Sequence, residues 1–190
     1  MTVTFINPYT FIDELAFQHQ RILQLFDRVR EGEAEERDET FLELRRLLAV
    51  HEAAEEVVVH PRARSSITSG PKVVGERLSE ERAVKRLLAE LEGLGMQSAE
   101  FDAKLEALRE IVEGHIEREE RDEFIALRNE LDDDEAARMA DAVRVIEAVA
   151  PTHPHPGTES ASANLLVGPF AAMLDRARDA VAVRLGQGAH

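Results

Sequence analysis

Apolar residues recur along this chain at three- and four-residue intervals, the spacing that lines one face of an α-helix. The first such segment covers about 10–30, with Ile12, Leu15, Ile22, Leu23 and Phe26 on its stripe and Thr10 and Asp13 placed as a capping box. A charged loop is expected over 31–39. Thr40 and Glu43 form a second box, opening a helix through Leu44, Leu47, Leu48 and Val58 towards Pro61, which should end or kink it. After a polar turn at 65–71, a third helix spans roughly 72–92 with Val84, Leu87, Leu88 and Leu91 on one stripe. Gly93, Gly95 and Ser98 break the pattern and cap a fourth helix, which carries Leu105, Leu108, Ile111 and Val112 to about Asn129.

The acidic run at 132–134 starts a fifth helix that ends near Val149. Pro151, Pro154, Pro156 and Gly157, with Ser-rich sequence after them, read as a linker. A last amphipathic stretch over about 170–185 should pack on the bundle or on a partner. Connections among the first four helices are short enough to make neighbours antiparallel. The expectation is an all-α protein, an antiparallel up-down four-helix bundle with additional C-terminal helices. Its divisions would be 10–130 for the bundle, 131–150 for an added helix, 151–165 for a Pro/His/Ser-rich linker and 166–186 for a C-terminal helix.

Composition agrees with helices: 44% of the 190 residues are apolar, 5% are aromatic, and Trp is absent. The chain has no cysteine, which excludes disulfides, thiolate-bound zinc, iron–sulfur clusters and thiol catalysis. Residues 1–10 show neither a basic start nor a long apolar run, so no signal peptide or membrane anchor is expected, and the cytoplasm is the default location. A net charge of −15 repels phosphate backbones and anionic lipid, which argues against nucleic-acid and membrane partners. Phosphate loops, nucleotide fingerprints and Ser/His/Asp arrangements are missing, so hydrolase and nucleotide-dependent activities have no support.

The informative feature is a polar intrusion into each apolar stripe. At 100° per residue, His19 lies at the centre of the first helix's apolar arc. His51 does the same on the second helix, and Glu55 follows one turn later; His115 and Glu119 repeat that arrangement on the fourth. On the third helix Glu81 falls one turn before Val84 and Leu88, nearer the edge of the stripe. A single histidine there would be an ordinary hydrogen-bonded core residue. Six titratable groups converging from four helices are different, because unpaired buried carboxylates cost several kcal/mol and Lys85 is the one nearby cation on these faces. Bound metal ions resolve that conflict. Each half of the bundle is then a helical hairpin giving one ligand from its first helix and a His-xxx-Glu pair from its second, and each Glu can bridge two metals. Imidazole and carboxylate without sulfur suit iron or manganese.

At these residues the sequence resembles the hemerythrin-like HHE cation-binding family, whose pattern is H…HxxxE…H…HxxxE on four helices. The resemblance covers about 11–128, and His19, His51, Glu55, His115 and Glu119 match the pattern position for position. It implies a carboxylate-bridged, non-heme centre of two iron ions, with manganese as the other metal these ligands accept. It also implies O2 or another small oxidant, or nitric oxide, as the reacting partner. The departure is on the third helix, where Glu81 stands at the family's His position, with Glu80 adjacent and able to take its place. A third carboxylate adds one negative charge to the ligand set and favours the ferric state, which argues for redox reaction over reversible O2 carriage. The alternative is a non-catalytic iron-binding, sensing or regulatory module; a metal-free structural bundle ranks third.

Other polar candidates are expected outside the centre. His60, nine residues beyond His51, falls about 180° around a regular helix and should face away unless Pro61 distorts that turn. Glu52 and Glu123 read as groups near the rim that could support the ligands from behind, with the solvated-face reading favoured for both. His153 and His155 belong to the linker, and His190 is terminal.

Overall fold

The computed structural model describes residues 10–149 and 175–182. Among them there is no strand. Helix α1 is Phe11–Glu31; α2 is Ala34–Ala54 continued through a π-helical turn, Glu55–Val59, into His60–Ser66; α3 is Gly70–Glu92. Helix α4 is Ala99–Glu119 continued through a second π-helical turn, Glu120–Phe124, into Ile125–Glu130, and α5 is Asp133–Val149. Residues 175–182 are helical as well. The chain is an all-α helical bundle, and no helix among the described residues is long and apolar enough to cross a membrane. The expected linker at 151–165 lies outside the described residues, as does most of the expected 166–186 helix on either side of 175–182.

Local chemistry sets most boundaries. The Thr10 hydroxyl accepts from the Asp13 N–H while the Asp13 carboxylate accepts from the Thr10 N–H, the expected capping box. Ser98 accepts from the Phe101 N–H at 3.1 Å and opens α4. Asp132 caps the Glu135 N–H at 2.7 Å and opens α5. Between α2 and α3, Ser69 takes a left-handed conformation with φ 60°, and a Cβ on Gly70 would collide with the carbonyls of Ala63 and Arg64. Glycine is what lets the second hairpin close so tightly.

Two expectations change. The loop expected at 31–39 shrinks to Gly32 and Glu33, because residues 34–39 are good helix formers with Glu35 and Glu36 in the favourable first turn. Thr40 is therefore a buried residue inside α2 and not a cap. Nor does Pro61 end α2. A proline ring clashes with the carbonyl four residues back in a regular helix, but here the π turn just before it displaces that carbonyl, and the helix runs on to Ser66.

The apolar interior is divided. One cluster joins Ile22, Phe26, Leu44, Leu88, Phe101 and Leu108 with their neighbours. The other joins Phe11, Leu15, Val58, Val59, Phe124 and Leu127 with α5, through Val143 and Ile146, and with Ala177 and Val181. Each bundle helix carries buried polar residues near the point where its contributions pass from one cluster to the other. Those residues form the site.

Candidate metal centre

His19, His51, Glu55 and Glu119 are buried and place one ligand atom each within 4.8 Å of one another; Glu55, His60 and Glu81 do the same. Glu55 belongs to both groups. Its Oε1 lies 2.6 Å from His51 Nε2, and its Oε2 lies 3.5 Å from His115 Nε2. His19 Nε2 is 3.1 Å from Glu119 Oε2 and 3.0 Å from His51 Nε2. His60 Nε2 is 2.6 Å from Glu81 Oε1. The six residues expected from the sequence thus lie in one buried cluster, together with a seventh that was not expected there.

That seventh is His60, read as outward-facing and found buried. The error came from counting 100° through a turn that is not α-helical. In the π turn the His60 N–H bonds the Glu55 carbonyl, five residues back, so one extra residue is absorbed and His60 takes the inward direction that position 59 has in a regular helix. The second π turn does the same for Glu123 and Phe124, both buried, and Phe124 stacks on the His19 ring. Glu52 is buried too. Neither Glu52 nor Glu123 is the solvated rim residue it was expected to be.

Every imidazole is held from behind. Nδ1 of His19 lies 2.7 Å from Glu120 Oε1, that of His51 3.0 Å from Gln18 Oε1, that of His60 3.3 Å from Glu123 Oε2, and that of His115 3.0 Å from Glu80 Oε2. All four partners are acceptors, so Nδ1 carries the proton, and in the neutral ring Nε2 turns its lone pair inward. Glu80 and Glu81 accordingly divide the work. Glu81 faces the cluster, while Glu80 orients His115 and is itself paired with Arg118 and Arg77.

Electrostatics show how strongly the buried acids act on one another. Burial pushes Glu119 well above the usual carboxylate range, and the neighbouring Glu55 charge adds to the rise. Glu55 goes the other way, because His51 and His115 outweigh its burial. Burial raises Glu81 as well. For His60, burial alone would lower the pKa, but hydrogen bonds to Glu123 and Glu81 raise it to about 10.

Hydrogen bonding within the cluster is incomplete. Both oxygens of Glu55 and of Glu119, Glu81 Oε2, Glu123 Oε1 and His115 Nε2 are buried without a hydrogen bond. Each such group costs about 1–3 kcal/mol if nothing else engages it. A divalent cation engages several at once, and a donor set of imidazole nitrogens and carboxylate oxygens fits iron or manganese. The residues present fit a metal centre.

Residues 10–127 match the hemerythrin HHE cation-binding domain. The chain belongs to that family. An uncharacterized hemerythrin-like protein of Schizosaccharomyces pombe is 29% identical over 134 residues, 70% of this chain and 66% of that protein. A DNA nickase of a Nostoc species is 29% identical over 129 residues, 67% of this chain and 36% of that protein. The hemerythrin-like chain therefore corresponds to part of each relative. Among solved structures, a hemerythrin HHE cation-binding domain-containing protein of Mycobacterium kansasii superposes with a TM-score of 0.67 at 22% identity, covering 88% of this chain and 99% of that one. That likeness is one of fold.

Proposed function

We propose that this hemerythrin-like protein holds two non-heme iron ions and reacts with a small oxidant, O2 or peroxide, or with nitric oxide, in preference to carrying O2 reversibly. The observation that carries the reading is the convergence of four inward Nε2 atoms on the buried carboxylates of Glu55, Glu81 and Glu119, of which only Glu81 Oε1, paired with His60, makes a hydrogen bond. His19, His51 and Glu119 would hold one ion, His60, Glu81 and His115 the other, with Glu55 reaching both. Manganese is the other metal that this set accepts. Bound iron would supply the electrons for reduction of the oxidant.

The protein's own part is positional. Glu120, Gln18, Glu123 and Glu80 fix the ring orientations and raise the basicity of Nε2. Phe124 and the apolar clusters on either side exclude water. Glu81, in place of a neutral imidazole, adds negative charge and favours the higher oxidation state.

Metal analysis of the protein as isolated tests the reading first, with two irons per chain expected. Visible charge-transfer absorption on adding Fe²⁺ and air, then consumption of hydrogen peroxide or O2, tests the reactivity. A protein without metal affinity overturns the whole reading. One that binds iron yet consumes no oxidant supports instead a non-catalytic sensing or regulatory module. One contact favours that second reading: Gln18, whose Oε1 accepts a hydrogen bond from His51 Nδ1, donates through Nε2 to Glu147 on α5, so the ligand is wired to a helix outside the bundle.

A further inference from the structure

Beside the His60–Glu81 pair lies a charged cluster that shares Glu81 with the metal ligands and otherwise stands apart from them. On the seam between α2 and α3, Lys85 Nζ is 2.7 Å from Glu56 Oε1, 3.2 Å from Glu52 Oε2 and 3.7 Å from Glu81 Oε2. Burial is graded along this line. The Lys85 and Glu56 side chains are 27% and 17% exposed, Glu52 4% and Glu81 1%. Glu81 spans the step between this cluster and His60. Its Oε1 faces His60, whereas its buried Oε2 faces Lys85 and makes no hydrogen bond.

We infer that this seam is the entry route for the divalent cation, with Lys85 as a displaceable plug between the Glu56 mouth and Glu81. The inference rests on the dinuclear reading. A doubly charged ion is attracted by the same carboxylates about twice as strongly as the single charge of the lysine it replaces. Lysine suits the exchange, because its flexible four-carbon stem lets the ammonium swing into solvent. Glu56 captures the ion at the mouth, Glu52 lies behind it, and Glu81 delivers it by having one oxygen on each side. A second cation already sits at the mouth: Arg178 of the 175–182 helix lies 4.0 Å from Glu56.

The test is stopped-flow uptake of Co²⁺ by the metal-free full chain, followed by visible d–d absorption. Lys85→Met should take up cobalt about tenfold faster, Glu56→Gln slower by a similar factor, and both should reach the wild-type final spectrum. Lys85→Arg keeps the charge and should remain slow. Uptake by both Lys85→Met and Glu56→Gln within about twofold of wild type, at full stoichiometry, overturns the route. Because Glu56 is partly exposed, its variant remains informative if the Lys85 variants fold poorly. A wild-type protein that takes up no cobalt sinks the metal reading itself, which is a different result.

Discussion

Each imidazole of the centre is gripped at Nδ1 and free to bind at Nε2, and the grips differ in chemistry. Three are carboxylates; His51 has the neutral Gln18. Removing a grip leaves the ligand in place but loosens it. Glu80→Ala should weaken metal affinity by about 10–100-fold in chelator competition while leaving helicity unchanged. An unchanged affinity would mean that Glu80 serves packing alone. Glu81→His removes one negative charge and should slow oxidation of the ferrous protein by about tenfold, read from the growth of charge-transfer absorption in air. Much of the candidate centre was legible at this scale, because His19, His51 and His115 lie at the middle of apolar arcs and recur, with their carboxylates, on facing helices, which an isolated core histidine would not do. Glu80 and Glu81 were harder. Adjacent residues differ by 100°, and the stripe of α3 is wide enough to admit either one at its edge.

Periodicity failed where a helix departs from its period. Each His-xxx-Glu pair is followed by one π turn, and in both cases the extra residue brings side chains inward that a regular helix would turn away. Three successive valines, Val57 to Val59, ahead of Pro61 were the available signal, since β-branched residues before a proline weaken a regular helix. A geometric consequence can be tested. Deleting Val57 removes the surplus residue and keeps His60 inward, so metal stoichiometry should hold, while Pro61 then meets the carbonyl four residues back and should kink α2 beyond the centre. Inserting one Ala after Val57 turns His60 by about 100° and should cost one metal per chain with little change in circular dichroism. Equal stoichiometry in the two variants would show that the widened turn does not set the direction of His60.

For the molecule as a whole, proton and metal compete for the same interior. His60, raised to about 10 in the folded protein, contributes stability that is fully present below its ordinary pKa of 6.5 and is lost as the pH rises through about 10. A metal ion needs the neutral ring, so binding must expel that proton. The rise in Tm on metal loading should therefore grow between about pH 6 and pH 9 in calorimetry, and a flat or falling difference would contradict the charge state assigned to His60. The placement of the centre adds a mechanical effect. Its layer of imidazoles and acids cuts the oily interior in two, one lobe around Leu44 and Leu88, the other around Leu15, Val143 and Ile146. Ions bound in that layer would be mortar between two courses of brick. Stripped of them, the bundle should open first at its waist, with amides near 51–60 and 115–124 exchanging with solvent while both ends remain shut.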